Sequence, residues 1–396
     1  MNLPRNAVGV PDESYVYLDH AATTPVDPEV ADAMLPYLCG PRLFGNPSSV
    51  HRFGREARAA VDEARDRVAK LVGADYSEVY FTGSGTEADN LALTGALYAA
   101  PTGRDHLVTS AIEHPAVLRT AQFLESRGTR ITVLPVEPDG LLLPAAVEEA
   151  LTDRTAIVSV MHANNEIGTI QPIAEIAAVA RRRGALVHTD AVQTTGLLNI
   201  EFAALNVDML TLSAHKIYGP KGVGALVIRS GAAVSPIVHG GAQEREKRAG
   251  TENVAAIVGF GKAAEITLDR RAADAARMTR LRDRFVAALV KRIPGIRING
   301  SLVRRLPNNI NVAVERVEGA TLIMNLDRRG VAASSGSACS SGSIEPSHVL
   351  SAIGLPPALA ASGIRFTLGR GTTEAEIDFA IAALAGIVER QRSRRE

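Results

Sequence analysis

Short apolar runs alternate with amphipathic stretches through much of this chain, and that alternation is the strongest constraint on its fold. The runs have the length and composition of strands, which we predict at Glu78–Thr82, His106–Ser110, Arg130–Pro135, Ala156–Met161, Leu186–Thr189, Met209–Ser213 and Gly224–Ile228. The stretches between them predict helices, among them Glu87–Tyr98, Ala116–Ser126 and Ile173–Arg183. This order predicts an α/β fold with a mainly parallel sheet flanked by helices. Ligands of such sheets bind at the edge where the strands end.

The pattern changes in the C-terminal part of the chain. A long helical stretch is followed by a strand and two further helices, at about Val258–Arg292, Asn309–Val314, from Gly319 and at Glu374–Gln391. Helices and a strand in this arrangement predict a smaller α+β domain. We therefore expect a large domain over residues 28–262 and a small domain formed by residues 1–27 and 263–396.

Composition and charge exclude several classes of function. Of 396 residues, 46% are hydrophobic and 22% are charged, which is typical of a globular protein with a buried core. Forty-three basic and 43 acidic residues balance, so no overall field favours nucleic acid or an anionic membrane. No apolar stretch is long enough to span a bilayer, and the N-terminal residues lack the apolar core of a secretory signal.

Cysteine is rare in this sequence, which contains two, Cys39 and Cys339. Two cysteines cannot form a disulfide framework in a chain of this length, although one bridge between them stays open at this point. We expect a reducing compartment, the cytoplasm. Cys39 is interpreted as a structural residue.

Lys216 is the first candidate for chemistry. It follows the predicted strand Met209–Ser213, and a lysine just past a strand end can sit in a partly buried pocket. Burial lowers the pKa of an amine and makes it a nucleophile for Schiff-base chemistry. A surface loop lysine is the alternative, and Lys221 is a rival a few residues later.

Asp190 strengthens the case for Lys216. It follows the predicted strand Leu186–Thr189, so the two side chains stand at the ends of successive strands. Pyridoxal phosphate requires a lysine and a carboxylate that keeps its ring nitrogen protonated. Asp190 and Lys216 can supply this pair, although a buried structural aspartate is an alternative.

A phosphate would need small residues at a helix N-terminus. The segment Gly83–Asn90 follows a predicted strand and opens a helix, where Gly85 offers a backbone N–H and Thr86 a hydroxyl. Such turns are common, and this one is not a P-loop, because no Gly-Lys-Ser/Thr follows.

Three more polar residues follow strands of the same sheet, namely His114, Asn165 and Gln193. An imidazole can stack on a cofactor ring and an amide can hydrogen-bond its phenolic oxygen. Each residue could equally have a structural role in its loop.

Six segments in a fixed order resemble the bacterial cysteine desulfurases, of the class V aminotransferase group of fold-type I pyridoxal-phosphate enzymes. The segments are Tyr17–Pro25, Phe44–Ser49, Asn164–Gly168, His188–Gln193, Ser213–Gly222 and Ser335–Cys339. The resemblance runs from about residue 15 to 385. It implies that pyridoxal 5'-phosphate is the cofactor and that the large domain binds it.

The resemblance also implies a role for each matched residue. Lys216 would hold the cofactor as a Schiff base and Asp190 would pair with its ring nitrogen, while His114 would stack on the ring and act as a second acid/base. The cofactor's ring oxygen would be contacted by Asn165 and Gln193. Its phosphate would be held by Gly85, Thr86, Ser213 and His215.

Substrate and subunit contacts follow from the same resemblance. Arg365 would clamp the substrate carboxylate, helped by Asn46 and Asn165, and a guanidinium suits that task. Thr251 would reach the cofactor phosphate of a second subunit, which implies a homodimer.

Cys339 lies in a segment rich in Ser and Gly, Ala333–Ser343, which is a poor place for a core cysteine. The resemblance implies that its thiolate takes sulfur from L-cysteine as a persulfide, leaving L-alanine. Acceptors would be a scaffold for iron–sulfur clusters or tRNA-thiolation proteins, and in some members this cysteine also ligates a cluster. An aminotransferase or a selenocysteine lyase of the same fold is the alternative, and it does not need Cys339.

Overall fold

The computed structural model describes residues 15–41, 43–335 and 346–393. Its strands are β1 (Val16–Tyr17), β2 (Val79–Thr82), β3 (His106–Ser110), β4 (Arg130–Leu134), β5 (Thr155–Ser159), β6 (Leu186–Asp190), β7 (Met209–Ser213), β8 (Gly224–Ile228), β9 (Ile296–Ile298), β10 (Asn309–Val314), β11 (Val331–Ala332) and β12 (Ile364–Thr367). Its α-helices are α1 (Pro28–Cys39), α2 (Arg52–Val72), α3 (Gly85–Ala99), α4 (Pro115–Ser126), α5 (Pro144–Ala150), α6 (Ile173–Arg182), α7 (Phe202–Leu205), α8 (Val254–Arg292), α9 (Gly319–Asp327), α10 (His348–Ala352), α11 (Pro357–Ala360) and α12 (Glu374–Ser393). Single 3₁₀ turns lie at Tyr76–Glu78, Ala214–Lys216 and Gln243–Glu246.

The largest sheet of the described residues has the strand order β2-β8-β7-β6-β5-β3-β4. Strands β4, β3, β5, β6 and β7 pair in parallel, and β8 runs antiparallel to both of its neighbours. The predicted strands of this sheet lie within two residues of the observed ones, so the prediction of a mainly parallel sheet is confirmed.

Helices cover both faces of this sheet, as the buried side chains of neighbouring positions show. Val108, Val158 and Leu210 belong to the core beneath α2, α6 and α8. The residues just before them, such as Leu107 and Ile157, belong to the core beneath α3 and α4. Successive side chains of a strand point to opposite faces, so strands covered on both sides read as continuous apolar runs.

A second core forms around the sheet β12-β10-β9, whose pairing is antiparallel. Fully buried Phe285 of α8 packs against Phe366 of β12, with their ring centroids 5.2 Å apart. The N-terminal strand β1 joins this region by parallel pairing with β11.

Helix α8 belongs to both cores. It begins four residues before the predicted Val258 and continues without a break to Arg292. Phe260 in its first half packs into the core of the large sheet, and Phe285 in its second half packs into the second core. Among its buried positions, Gly261 allows close contact with α2, because a Cβ there would lie 2.6 Å from the Cα of Ala64.

None of the helices in the described ranges is long and apolar enough to cross a bilayer.

A buried ion pair fixes the turn that precedes α8. Both side chains, Arg65 and Glu244, are 2% exposed, and the guanidinium donates to the two carboxylate oxygens at 2.6 and 2.7 Å. Glu244 also accepts the N–H of Phe81 at 2.8 Å. The backbone of Glu244 has a φ of 45°, and Arg245 and Glu246 follow at 52° and 64°. Because L-residues rarely adopt positive φ, the ion pair stabilises a strained turn.

We expect Glu244→Ala to lower the free energy of unfolding by about 3–5 kcal/mol, because Arg65 would be left buried and uncompensated. Urea-induced unfolding measures this change. The matched control is Arg52→Ala, which breaks an exposed pair with Glu56 and should cost less than about 0.5 kcal/mol. A loss of less than about 1 kcal/mol for Glu244→Ala would contradict the stabilising role given to the ion pair between Arg65 and Glu244.

Candidate active site

A cavity of about 420 Å³ lies where the parallel strands end. Most of the residues predicted for the site line it, namely Gly85, Thr86, His114, Asn165, Asp190, Gln193, Ser213, His215, Lys216 and Arg365. They come from the ends of β6 and β7, from loops after β3 and β5, from the start of α3, and from β12. Since parallel strands share one carboxyl edge, residues far apart in sequence meet there.

Lys216 ends the 3₁₀ turn that directly follows β7. Its Nζ donates hydrogen bonds to the carbonyl oxygens of Ala21 and Ala22, the latter at 2.7 Å. The N-terminal segment therefore forms one wall of the site and orients the amine. The rival Lys221 is exposed and does not line the cavity.

Asp190 is the last residue of β6, and its carboxylate accepts the N–H of Val192 at 2.9 Å. Burial raises the pKa of Asp190, while the charges of His114 and Lys216 act to lower it. A buried carboxylate of this kind favours a cationic partner, because an unpaired charge in a low-dielectric site is costly.

His114 is held by its place at the N-terminus of α4, where its Nδ1 accepts the N–H of Ala116 at 3.1 Å. Burial lowers the pKa of His114, although the nearby charge of Asp190 acts in the opposite direction. A neutral ring that accepts at Nδ1 carries its proton on Nε2. The imidazole is thus fixed in orientation and tautomer.

The start of α3 forms the end of the cavity nearest Gly85 and Thr86. Ser84 caps the helix by accepting the N–H of Glu87 at 3.1 Å. Gly85 is in close contact with its surroundings, because a Cβ there would lie 3.1 Å from Val192 Cγ2. The N-terminus of this 15-residue helix, with small residues around it, is suited to a phosphate.

His215 contacts the N-terminal segment, since its Nδ1 lies 3.1 Å from the hydroxyl of Thr23. Burial lowers the pKa of His215 to about 4, so the ring is neutral at pH 7. It can therefore donate or accept a hydrogen bond at the cavity without adding charge.

Arg365 of β12 brings a cation from the second core into the cavity. It is 2% exposed, and its guanidinium donates to Asp19 at 2.7 Å and to the carbonyl of Asn165 at 3.0 Å. Its Nε is buried and has no hydrogen-bond partner among the described residues. The guanidinium thus retains a donor for a further acceptor.

Three predicted site residues are not brought to the cavity by the described structure. Asn46 is exposed, and its side chain accepts the N–H of Ser48. Thr251 is also exposed and does not line the cavity. Cys339 lies outside the described residues. Cys39, interpreted as structural, is exposed at the end of α1, with its Sγ 3.5 Å from the carbonyl of Leu35.

Several residues of the site were missed by the sequence reasoning. Asp89 lines the cavity, and its spacing of four from Gly85 places both on one face of α3, which was an available signal. Ala21 and Ala22 lie in the segment Tyr17–Pro25, which carries part of the family resemblance. Their neighbouring residues give no sign that their carbonyl oxygens accept hydrogen bonds from Lys216.

Glu113, the neighbour of His114, was also missed. It is completely buried, and its carboxyl accepts the hydroxyl of Ser110 and the N–H of Met161. Burial raises the pKa of Glu113 to about 8. It is therefore largely protonated at pH 7 and links the loops that follow β3 and β5.

The amine, the buried carboxylate and the helix N-terminus surround one cavity, and these are the groups that pyridoxal phosphate requires. The residues present therefore fit that cofactor. Within residues 15–41, 43–335 and 346–393, no group of three or more His, Cys, Asp or Glu side chains is arranged to hold a metal ion. Fold and site together define the class as pyridoxal-phosphate enzymes.

Comparisons with known proteins agree. Residues 16–379 match the family described as aminotransferase class-V. A protein named cysteine desulfurase IscS from Dictyoglomus turgidum is 50% identical over 96% of this chain and 95% of its own length. Another of that name, from Clostridium botulinum, is 46% identical over 95% of each chain. The chain belongs to the class-V aminotransferase family, so the predicted cofactor, pyridoxal phosphate, is confirmed.

Solved structures extend this agreement to the fold. A NifS-like protein superimposes with a TM-score of 0.88 at 36% identity, over 95% of this chain and 99% of its own. A structure described as SspA in complex with cysteine gives a TM-score of 0.79 at 37% identity, over 89% of this chain and 98% of its own. The expected fold class is confirmed, and these relatives do not favour the alternative of an aminotransferase or a selenocysteine lyase.

Glu113 generates a pH prediction. Its pKa in the folded protein is about 8, well above the ordinary value, so the fold favours the protonated form. Its contribution to stability is therefore present at low pH and is lost as the pH rises towards 8, by up to about 1.4 kcal/mol per pH unit. Glu113→Gln, which cannot ionise, should unfold with a flatter pH dependence between pH 5 and 8.

Urea unfolding at several pH values measures this slope. The exposed Glu125→Gln serves as the control and should keep the slope of the unchanged protein. An equal slope for Glu113→Gln and the unchanged protein would show that Glu113 is ionised in the fold.

Proposed function

We propose that this chain is a cysteine desulfurase, which takes sulfur from L-cysteine and releases L-alanine. The observation that carries the proposal is the convergence of Lys216, Asp190 and Arg365 on one cavity. Relatives at 46–50% identity over nearly the whole chain are named cysteine desulfurases, which supports the same activity here.

The chain's own residues divide the work on the cofactor. Lys216 would hold it covalently through Nζ and would move the substrate's α-proton, and Asp190 would keep the ring nitrogen protonated. Pyridoxal phosphate supplies an electron sink that stabilises negative charge at the substrate Cα. The short distance between Lys216 and the N-terminal carbonyls supports this role, because the amine is already oriented.

Other residues position the ring and the phosphate. His114 would stack on the ring and act as a second acid/base, and its fixed tautomer supports proton donation through Nε2. Contacts to the ring oxygen come from Asn165 and Gln193. Contacts to the phosphate come from Gly85, Thr86, Ser213 and His215.

Arg365 binds the substrate carboxylate. Its buried Nε, which has no partner among the described residues, supports this role. Asn165 lies beside it through its backbone carbonyl. Asn46 assists from a position that the described structure leaves exposed, so it would have to act after a movement or from a second subunit.

Cys339 receives the sulfur. Its thiolate attacks the sulfur of bound cysteine, so that an S–S bond forms and the C–S bond breaks. The electron pair of the broken bond stays on the substrate carbon, which takes up a proton and leaves as alanine.

Residues on both sides of the segment that carries Cys339 support this role. Ser334 pairs with the backbone of Arg365, and Ser347 donates to the buried carboxyl of Glu166. His348 lies 3.0 Å from the carbonyl of Glu113. The described residues on both sides of that segment therefore contact residues at or beside the cavity.

The persulfide then passes to an acceptor, either a scaffold for iron–sulfur clusters or a tRNA-thiolation protein, with Cys339 as a transient cluster ligand in the first case. We place the protein in the cytoplasm, and its two cysteines support a reducing compartment.

We also propose that residues 28–262 form the cofactor-binding domain and that residues 1–27 and 263–396 form the small domain. The two cores joined by α8 support this division.

We further propose a homodimer in which Thr251 reaches the phosphate site of the partner. Its exposure outside the cavity of its own chain supports this arrangement. Exposed apolar side chains at the end of α1 and between α1 and α2 supply a surface for such contact, among them Leu38, Phe44 and Val50.

Cys339→Ala should abolish persulfide formation, because the remaining thiol, Cys39, is exposed at the end of α1 and does not line the cavity. Incubation with cysteine followed by peptide mass analysis measures the modification, and Cys39→Ala serves as the matched control with unchanged yield. If Cys339→Ala still delivered persulfide to an acceptor at the normal rate, Cys339 would not be the residue that takes the sulfur.

The dimer predicts complementation between two variants. Lys216→Ala should be inactive and Thr251→Ala should bind cofactor about tenfold more weakly. At a cofactor concentration that leaves Thr251→Ala mostly unloaded, mixing the subunits creates one site with both native residues, so we expect up to half of the native activity to return. Gel filtration and activity assays measure this. No recovery in a mixed dimer would show that Thr251 does not act across subunits.

A further inference from the structure

Four buried polar side chains lie side by side beneath Asp190, namely Ser159, His188, Thr211 and Asp89, each at most 2% exposed. His188 precedes Asp190 by two residues on β6, so both point to the same face of the sheet. In the sheet register, Asp190 pairs with Thr211 and His188 with Ser159. Asp89 faces this row from α3 and also lines the cavity.

Hydrogen bonds run along the row from Ser159 through His188 to Thr211. Ser159 Oγ lies 2.8 Å from His188 Nδ1, and His188 Nε2 lies 3.0 Å from Thr211 Oγ1. The distance from His188 Nε2 to Asp89 Oδ1 is 3.6 Å, which is too long for a good hydrogen bond. Asp89 Oδ1 is buried and has no hydrogen-bond partner among the described residues.

The surroundings of Asp89 disfavour a charge on it. Burial raises the pKa of Asp89 well above its ordinary value, the charge of Asp190 raises it further, and a hydrogen bond from Thr211 opposes this. Burial also lowers the pKa of His188 to about 3, so this ring is neutral and is no counter-ion. Two ionised carboxylates in one dry layer would repel each other, and one of them keeps its proton.

We propose that Asp89 is a positioning residue: it stands in the site as a neutral acid, so that the negative charge facing the cofactor ring belongs to Asp190. Thr211, which hydrogen-bonds Asp89, is fixed in turn by His188 and Ser159. This inference deepens the proposed function and rests on the role of Asp190 given there. An ionised Asp89 would place a second negative charge beside that of Asp190 in the same buried layer.

Two substitutions at one position test the proposal. Asp89→Asn keeps the size and neutrality of the acid, so cofactor affinity should stay within about threefold of the native value. The pH midpoint of the absorbance change of the bound cofactor should also stay in place. Asp89→Ala removes the polar group that faces Thr211 and His188, so affinity should fall about tenfold and the midpoint should move.

Asp190→Asn is the matched control, and it should weaken cofactor binding and move the midpoint more than either change at Asp89. A midpoint in Asp89→Asn displaced as far as in Asp190→Asn would show that Asp89 is ionised, which overturns the proposal. Native behaviour of Asp89→Ala would overturn it as well, because no positioning role would remain.

A measurement on the unchanged holoenzyme keeps the proposal falsifiable if a variant fails to fold. Infrared spectra with ¹³C-labelled aspartate should contain the carbonyl band of a protonated carboxyl at pH 7, and the label separates it from buried Glu113. Absence of that band overturns the proposal. Native cofactor binding by Asp190→Asn would instead refute the proposed role of Asp190. The infrared band would then still test whether a buried aspartate is protonated.

Discussion

Parallel pairing of β3, β5, β6 and β7 determines where the functional side chains of this protein lie. Each of these strands is covered by helices on both faces, so ionised groups are excluded along its length and collect where it ends. Asp190 and Lys216 follow neighbouring strand ends for this reason. The antiparallel β8 preserves the arrangement, because it lets β2 run in the same direction as β7 and start α3 at the same edge.

Desolvation gives this edge its chemistry. Water is largely excluded from the carboxyl groups of Asp190 and Glu113 and from the rings of His114 and His215, and burial is the largest cause of the pKa shift of each. Burial raises the pKa of the acids and lowers the pKa of the histidines, so it reduces charge in both cases. A cationic ligand beside Asp190 restores the balance, which explains why a protonated ring nitrogen suits the cavity.

The sequence predicted the large sheet well because strands buried on both faces leave continuous apolar runs. It also predicted that Lys216, Asp190 and Gly85 lie at strand ends, since each comes at the end of such a run or within three residues after it. Contacts between distant segments could not be derived in this way. The carbonyls of Ala21 and Ala22 reach Lys216 only through folding of the N-terminal segment.

The roles of several other residues could not be predicted from the sequence, because they depend on contacts made only in the folded protein. Asp89 sits inside a helix that reads as ordinary, and its importance arises from side chains of β6 and β7 that face it. The implied roles of Asn46 and Thr251 stay predictions, because each is exposed on a single chain. The role of Cys339 depends on residues outside the described ranges.

Helix α8 has a consequence for the proposed site. Its 39 residues span about 58 Å without a proline, and the glycine at 261 is packed against α2 rather than left free to bend. The core that carries Arg365 is thus joined to the sheet that carries Lys216 by one stiff rod. In the proposed function, one continuous helix therefore connects the core that would bind the substrate carboxylate with the sheet whose lysine would hold the cofactor.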